Sequence, residues 1–286
     1  IIIAVPLVIE KIIRKKVVPK IQNNRMRLLL NMPVVNRKVN HKICEQVKNA
    51  FGGKFYEIIV GGAAFNQEVE QFLQQIGFPY TVGYGATECA PIICYADYTE
   101  FVPGSCGKAV VNMEVKIDSP DPENVPGEIL ARGMNVMLGY YKNEEATRTT
   151  LDAEGWYHTG DLGTMDADGN VFIKGRSKNM LLGANGQNIY PEEIEDKLNS
   201  MAMVSESVVI QKGDKLVGLV HPDYDEAKTM NLTNDDLQEV MEQNRQELNA
   251  VMPAYCKLSA IRIQEEEFEK TPKKSIKRYL YQNAEV

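Results

Sequence analysis

Between Phe55 and Gly85 the chain reads strand, glycine turn, helix, strand. Phe55–Val60 is a short apolar run, Gly61-Gly62-Ala63-Ala64 turns the chain, Asn66–Ile76 has helical spacing, and Tyr80–Tyr84 is a second strand closed by Gly85. That order is a βαβ unit of an α/β layer. Ile1–Val5 reads as a further parallel strand, apolar on both faces, and Pro6 stands where a helix can begin. Leu7, Ile9, Ile12, Ile13 and Val17 predict an amphipathic helix with Lys11, Arg14, Lys15 and Lys16 on its other face. Such a basic face is ordinarily solvated; peripheral contact with an anionic membrane surface is the second reading. Residues 20–50 continue as helix, stopped by Gly52-Gly53.

From about Val102 to Ile173 the texture changes. Turn signals recur at Pro103-Gly104, Asp121-Pro122, Pro126-Gly127, Glu154-Gly155 and Asp168-Gly169, which predicts a twisted β region with a short helix at Glu144–Thr150. Beyond Lys178 helix and strand patterns alternate. Pro191–Ser200 is a helix with Pro191 at its start and Glu192, Glu193 and Glu195 near its positive end. Val204–Gln211 and Lys215–Val220 form a hairpin around Lys212-Gly213-Asp214. Asn234 caps a helix over Asn234–Asn249, Ser259–Ile263 is a strand, and a last helix starts near Ser275. The expected organisation is an α/β domain over residues 1–177 and a small α+β domain over 178–286.

Composition narrows the function classes. A net charge of −7 argues against a nucleic-acid partner. Five cysteines, at 44, 89, 94, 106 and 256, make no CxxC pair, and an odd count fits a reducing cytoplasm better than a disulfide framework. His41, His158 and His221 lie far apart, so no zinc signature is present. The opening apolar run ends by Glu10, well short of the ~20 residues of a membrane span. It has neither the charged start nor the small-residue cleavage site of a signal peptide. It reads as a strand entered abruptly, in a chain cut from something longer.

Four segments carry chemistry. Small residues at Gly61-Gly62-Ala63-Ala64 let a flat ring approach the backbone, or make a tight packing turn. In Gly83-Tyr84-Gly85-Ala86-Thr87-Glu88 a strand ends in an aromatic, a hydroxyl and a carboxylate: Tyr84 can lie against a base, Thr87 can donate to phosphate, Glu88 can ligate Mg²⁺. In Trp156-Tyr157-His158-Thr159-Gly160-Asp161-Leu162-Gly163 one carboxylate between glycines can accept from a ribose diol, and His158 reads as a hydrogen-bonded rim histidine. Asp166 and Asp168 read as turn residues beside Gly169. In Lys174-Gly175-Arg176-Ser177-Lys178-Asn179, Arg176 offers a donor fork, and Gly183 and Gly186 loosen the next loop.

These segments, with Gly127–Gly133, Val136–Tyr141, Asn188–Glu195 and Thr271–Arg278, stand in an order that resembles the adenylate-forming superfamily of acyl-CoA synthetases, peptide-synthetase adenylation domains and beetle luciferases. The charged helical stretch Glu10–Lys48 is similar to the long-chain fatty acid-CoA ligase branch. The resemblance implies a fatty acid, ATP and coenzyme A as substrates, with AMP and Mg²⁺ bound. It implies Gly62, Ala63, Ala64, Tyr84 and Gly85 around adenine, Thr87 at the α-phosphate, Glu88 at Mg²⁺, and Asp161 and Arg176 on the ribose. It also implies a hinge at Lys178 on which a mobile small C-terminal domain pivots, and a Gly183–Ile189 loop facing the pantetheine arm.

Two departures follow. The family's glycine-rich phosphate loop is not in this sequence and should precede Ile1, so the chain by itself is expected to make little acyl-adenylate. At the family's lysine position stands Ser275, which leaves Lys274, Lys277 or neither as the catalytic cation. An acyl-AMP ligase serving a carrier protein, a non-catalytic nucleotide-binding relative and a plain structural α/β domain are the competing readings.

Overall fold

Parallel pairing builds the first sheet. β1 (Ile2–Ala4) pairs with β2 (Ile58–Gly61), and β2 with β3 (Tyr80–Gly85), with Ala4 opposite Val60 and Gly61 opposite Gly83. Antiparallel β4 (Ile92–Tyr95) and β5 (Lys108–Ala109) complete the order β1-β2-β3-β4-β5. This sheet belongs to a computed structural model that describes residues 1–13, 33–183, 186–271 and 275–282, with the backbone alone at 33–38. The expected helix residues Arg14–Val17 and the first part of the expected 20–50 helix lie outside the described residues.

The helices exist because their apolar residues meet that sheet. α1 (Pro6–Ile12) begins on Pro6, whose missing N–H costs nothing at a helix start. α2 spans Pro33–Ala50 and α3 spans Gln67–Gln75. Ile9, Ile43, Val47, Val69 and Leu73 close over Ile58, Val60 and Tyr80 in one buried cluster. The helix expected from Asn66 starts one residue later, because the Asn66 side chain caps it and accepts from Val69 N–H at 3.1 Å. β1 is the expected strand with one face uncovered: Ile3 is 80% exposed.

The β region is a four-stranded antiparallel sheet in the order β6 (Met113–Asp118), β7 (Gly127–Gly133), β8 (Tyr157–Met165), β9 (Val171–Arg176). Ile117, Ile129, Ala131, Tyr157 and Val171 from it share a core with Tyr84, Ile93 and Cys94. α4 occupies Glu144–Thr150, as the sequence predicts. Trp156 is covered by Lys116 and Arg132, 4.1 and 4.5 Å from its ring centre.

The chain divides into two compact units, Ile1–Ile173 and Lys174–Val286. The second holds the short pair β10 (Leu181–Leu182) and β11 (Asn188–Ile189), α5 (Pro191–Leu198), and a sheet β12-β13-β14 formed by Val204–Lys212, Lys215–Pro222 and Leu258–Ile263. β12 and β13 are the expected hairpin, and Gly213 supplies its left-handed turn with φ +58°. α6 (Tyr224–Thr229), absent from the sequence reading, and α7 (Asn234–Val251) complete the unit. Ile194, Leu198, Leu237, Met241, Leu248 and Leu258 form its core.

Two expectations are corrected here. The cap of α7 is Thr233 and not Asn234: Thr233 and Asp236 satisfy each other's backbone N–H in a capping box, which leaves Asn234 inside the helix. The last segment is also no helix from Ser275. Thr271 N–H donates to Ser275 O and Lys277 N–H to Glu269 O, both at 2.8 Å, so the chain doubles back; among the described residues after Ser275, only Arg278–Leu280 forms a 3-10 turn. Strand-like pairing with Lys270 packs Ile276 against the cluster of Val208, Ile210, Val217, Leu219 and Phe268.

Candidate nucleotide site

In the first unit the candidate residues leave neighbouring strand ends. Gly61 and Gly83 face each other across the parallel pair, so no side chain stands between the two strands where β2 ends. A Cβ on Gly61 would stand 3.0 Å from the Gly83 carbonyl. Gly62 turns at φ +89°, and Ala63 and Ala64 follow, both exposed. Ligands of open α/β sheets bind in crevices at such carboxyl ends.

β3 ends at Gly85, where a Cβ would overlap the Pro91 carbonyl oxygen. The close approach lets Ala86 N–H donate to that oxygen at 2.8 Å, and Thr87–Cys89 then forms a 3-10 turn. Thr87 is exposed. Glu88 accepts the Tyr140 hydroxyl at 2.8 Å, and its carbonyl accepts Met137 N–H at 2.7 Å. Asn135 holds the Cys89 carbonyl at 2.6 Å. Gly85→Ala should therefore lower stability by about 1–3 kcal/mol, because backbone and not a side chain must yield. A thermal melt of the chain checks this, and an unchanged melting temperature would contradict the packing argument.

Asp161 owes its place to an irregularity in β8. Glu128 pairs with Leu162 and Leu130 with His158, so residues 159–161 stand opposite Ile129 alone. A bulge of this kind re-aims a side chain and strips ladder partners from the backbone. Gly160 takes the left-handed turn at φ +69°. The Thr159 hydroxyl donates to Ile129 O at 2.7 Å and accepts Asp161 N–H at 3.0 Å. Gly160 N–H donates to Glu128 Oε1 at 2.9 Å. His158 is the hydrogen-bonded rim histidine of the sequence reading: its Nδ1 lies 2.9 Å from Glu128 Oε2 and its ring is part-buried. Gly163 has no room for a side chain, since a Cβ there would meet the Phe172 carbonyl at 2.6 Å.

The bulge brings Asp161 to Tyr84, whose hydroxyl donates to Asp161 Oδ2 at 2.7 Å. Tyr84, expected to border adenine, has its ring in the core and is 7% exposed. Burial and then the Asp161 charge push the Tyr84 hydroxyl well above the usual tyrosine range, so it stays a donor. Asp166 accepts from Asp168 and Asn170 N–H groups beside Gly169, as a turn residue does.

Arg176, Lys178 and Lys277 belong to the second unit. Arg176 ends β9, and Lys178 lies in the 3-10 turn Ser177–Asn179; both are exposed. Asn179 donates to Glu192 Oε1 at 2.7 Å. Lys277 Nζ pairs with Glu269 at 3.0 Å, which raises the lysine above its usual value. Lys274 lies outside the described residues, as do Ala184 and Asn185 of the Gly183–Ile189 loop. Beside that loop opens a cleft of about 280 Å³, lined among others by Gln211, Lys215, Tyr255 and Lys257. Arg278 forks onto Glu195 with two bonds of 2.6 Å, and Glu195 also accepts Val209 N–H.

Glu128, Asn135 and Tyr140 were given no role from sequence. The strings Gly127–Gly133 and Val136–Tyr141 pointed at two of them, but only strand pairing shows what they touch. Among the described residues no group of three or more His, Cys, Asp or Glu could hold a metal ion, and no helix is long and apolar enough to cross a membrane. A lone Glu88 carboxylate fits a Mg²⁺ shared with substrate phosphates and water, the usual habit of that ion. The five cysteines are free and buried.

Comparison with known proteins gives the family and the fold. The family profile described as AMP-binding enzyme matches residues 1–141, and that of the AMP-binding enzyme C-terminal domain matches 178–284. A 2-succinylbenzoate-CoA ligase of Bacillus cytotoxicus is 38% identical over 168 residues, 57% of this chain and 34% of that protein. The long-chain-fatty-acid-CoA ligase FadD15 of Mycobacterium bovis is 31% identical over 176 residues, 62% of this chain and 28% of that protein. The chain thus spans about a third of the length of these curated relatives. In fold it is similar to the ATP-bound RpMatB-BxBclM chimera B1, with a TM-score of 0.70 at 20% identity over 98% of this chain and 51% of that one. O-succinylbenzoate coenzyme A synthetase of Bacillus subtilis, in complex with ATP and magnesium, gives 0.63 at 22% identity over 82% of this chain and 49% of that one.

Proposed function

Because this chain belongs to the AMP-binding enzyme superfamily, we propose that it carries the AMP side of an acid-CoA ligase that works through an acyl-adenylate. The observation that carries the reading is the buried Tyr84–Asp161 pair set by a bulge. A carboxylate offers about four lone-pair directions, so one accepting Tyr84 keeps capacity for a vicinal diol. In this reading Asp161 and Arg176 hold the ribose hydroxyls. Gly62, Ala63, Ala64, Tyr84 and Gly85 bound the adenine pocket. Thr87 donates to the α-phosphate.

In the first reaction a carboxylate oxygen of the acid bonds to the α-phosphorus and pyrophosphate departs. In the second the CoA sulfur bonds to the acyl carbon, AMP departs and the thiol proton passes to solvent. Glu88, oriented by Tyr140, would hold Mg²⁺, which when bound neutralises phosphate charge. Positioning and charge neutralisation supply most of the rate in such transfers. The small C-terminal domain, residues 178–286, would pivot at Lys178 between the two reactions, and the Gly183–Ile189 loop would then face the pantetheine arm.

The acid is proposed to be a long-chain fatty acid, on the charged sequence stretch Glu10–Lys48 and the likeness to FadD15. Other relatives are named for other acids, so the test is a full-length ligase assay over short to long chains, with CoA and a carrier protein as rival acceptors. Preference for an aromatic or short acid would overturn the chain-length reading. Transfer to the carrier alone would overturn the CoA reading. AMP binding without pyrophosphate release would overturn catalysis itself.

The acting lysine is proposed to be Lys274. Lys277 is engaged with Glu269 in an exposed pair, and such pairs contribute little. Lys274→Ala in the full-length ligase should slow adenylation by about 10²-fold, the loss typical of one transition-state donor, with Lys277→Ala far milder. Equal, small effects would remove both from the mechanism.

A further inference from the structure

We propose that Glu128 is a positioning residue for the nucleotide ribose, acting through the bulge that aims Asp161. The inference rests on the reading that Asp161 takes the ribose hydroxyls. Where the register slips, side chains serve three backbone groups: Ile129 C=O, Gly160 N–H and Asp161 N–H. Thr159 serves two of them. The third, Gly160 N–H, depends on Glu128 Oε1, 2.9 Å away on the neighbouring strand. Gly160 is the residue least able to hold a conformation on its own, because glycine restricts its backbone least. Its φ of +69° therefore needs an external tether, and the Glu128 carboxylate supplies it by accepting the Gly160 N–H.

The tether is itself held. Glu128 Oε2 lies 2.9 Å from His158 Nδ1, and His158 Nε2 lies 3.8 Å from Asp152, whose carboxylate accepts Trp156 and Glu154 N–H groups. One carboxylate thus ties together His158 and Gly160, the residues on either side of Thr159. Losing it frees Gly160 and, through it, the direction of the Asp161 side chain. Tyr84 holds Asp161 Oδ2 from the other side. A small misplacement of a binding group can cost up to about 10²-fold.

The test compares AMP with 2′,3′-dideoxy-AMP by titration calorimetry on the full-length protein, with thermal melts alongside. In the unaltered protein the dideoxy compound should bind at least about tenfold more weakly, and in Asp161→Asn the two should bind nearly alike. Glu128→Ala should shrink the ratio toward that of Asp161→Asn, while Glu128→Gln, which keeps an acceptor for Gly160 N–H, should retain most of it. A merely structural role would lower the melting temperature and leave the ratio alone, overturning the proposal. If Glu128→Ala does not fold, Glu128→Asp, one methylene too short, must shrink the ratio. Should Asp161→Asn itself keep the full ratio, the ribose reading fails, and this inference fails with it.

Discussion

Asp161→Asn in the full-length ligase is expected to weaken AMP binding by roughly two orders of magnitude while leaving the fold almost as stable as before. The size follows from two charge-assisted hydrogen bonds to a ribose diol, about 1.5–3 kcal/mol each. The loss of both ionic acceptors, with one neutral oxygen left, removes about 3 kcal/mol, near 10²-fold. Stability is spared because an amide oxygen can still accept the Tyr84 hydroxyl. Asp161→Ala differs on that point: the Tyr84 hydroxyl, in a residue 7% exposed, then has lost its Asp161 acceptor. A buried donor left unsatisfied costs about 1–3 kcal/mol, so the alanine variant should lose binding and stability together. Calorimetry and thermal melts on the two variants separate these effects. Asparagine and alanine variants that both bind AMP within about threefold of the unaltered protein would take Asp161 out of the site.

Arg278→Ala should be the most destabilising single change in the second unit. Glu195 is buried, and Arg278 is its countercharge, through two bonds of 2.6 Å. Removing one member of a buried pair strands the other, at about 3–5 kcal/mol. The pH dependence has a definite sign. Burial pushes the Glu195 carboxyl up, and the Arg278 guanidinium and Val209 N–H oppose it. A carboxyl raised in the folded state keeps its proton where the unfolded chain has already lost one. Its contribution to stability is therefore largest at low pH and falls as pH rises from the ordinary glutamate value, about 4.3, through the folded value. Without Arg278 the carboxyl rises further. The deficit of the variant should be large near neutrality and shrink as the solution is acidified toward about pH 5. Urea melts followed by circular dichroism at several pH values give this directly. A deficit independent of pH would mean that Arg278 acts by packing alone.

Local signals were legible in the sequence where one segment decides its own conformation. The short helix Glu144–Thr150 was placed to the residue, and the hairpin around Lys212-Gly213-Asp214 announced itself through its turn. The βαβ order placed the Gly61–Ala64 and Gly85–Glu88 turns at strand ends. What failed depended on partners distant in sequence or on a choice between neighbours. Thr233 and Asn234 are both good caps, and the reciprocal bonds of Asp236 decide for Thr233. Ser275 and its neighbours look helical until Ile276 is needed by a core formed from β12, β13 and Phe268. The exposure of Ile3 depends on what packs against that face of β1, which alternation does not state. In the candidate site, Thr159, Gly160 and Asp161 could be singled out by residue type, but Glu128 could not. Its relation to Gly160 exists only once β7 and β8 pair across that bulge.

The bulge also restricts how this segment can change length. Three residues of β8 stand where β7 has one, so the surplus is even. Side chains alternate between the faces of a strand with a period of two, and an even surplus leaves that alternation in step on both sides. Tyr157 and Gly163 are accordingly both buried. Loss or gain of a single residue here would reverse the faces of everything after it: the flank carrying Gly163 would present Leu162 and Thr164 to a space with no room for a side chain. Sequences that keep the fold should vary this stretch in pairs of residues or not at all, a rule that a library of one- and two-residue deletions would read out by solubility alone.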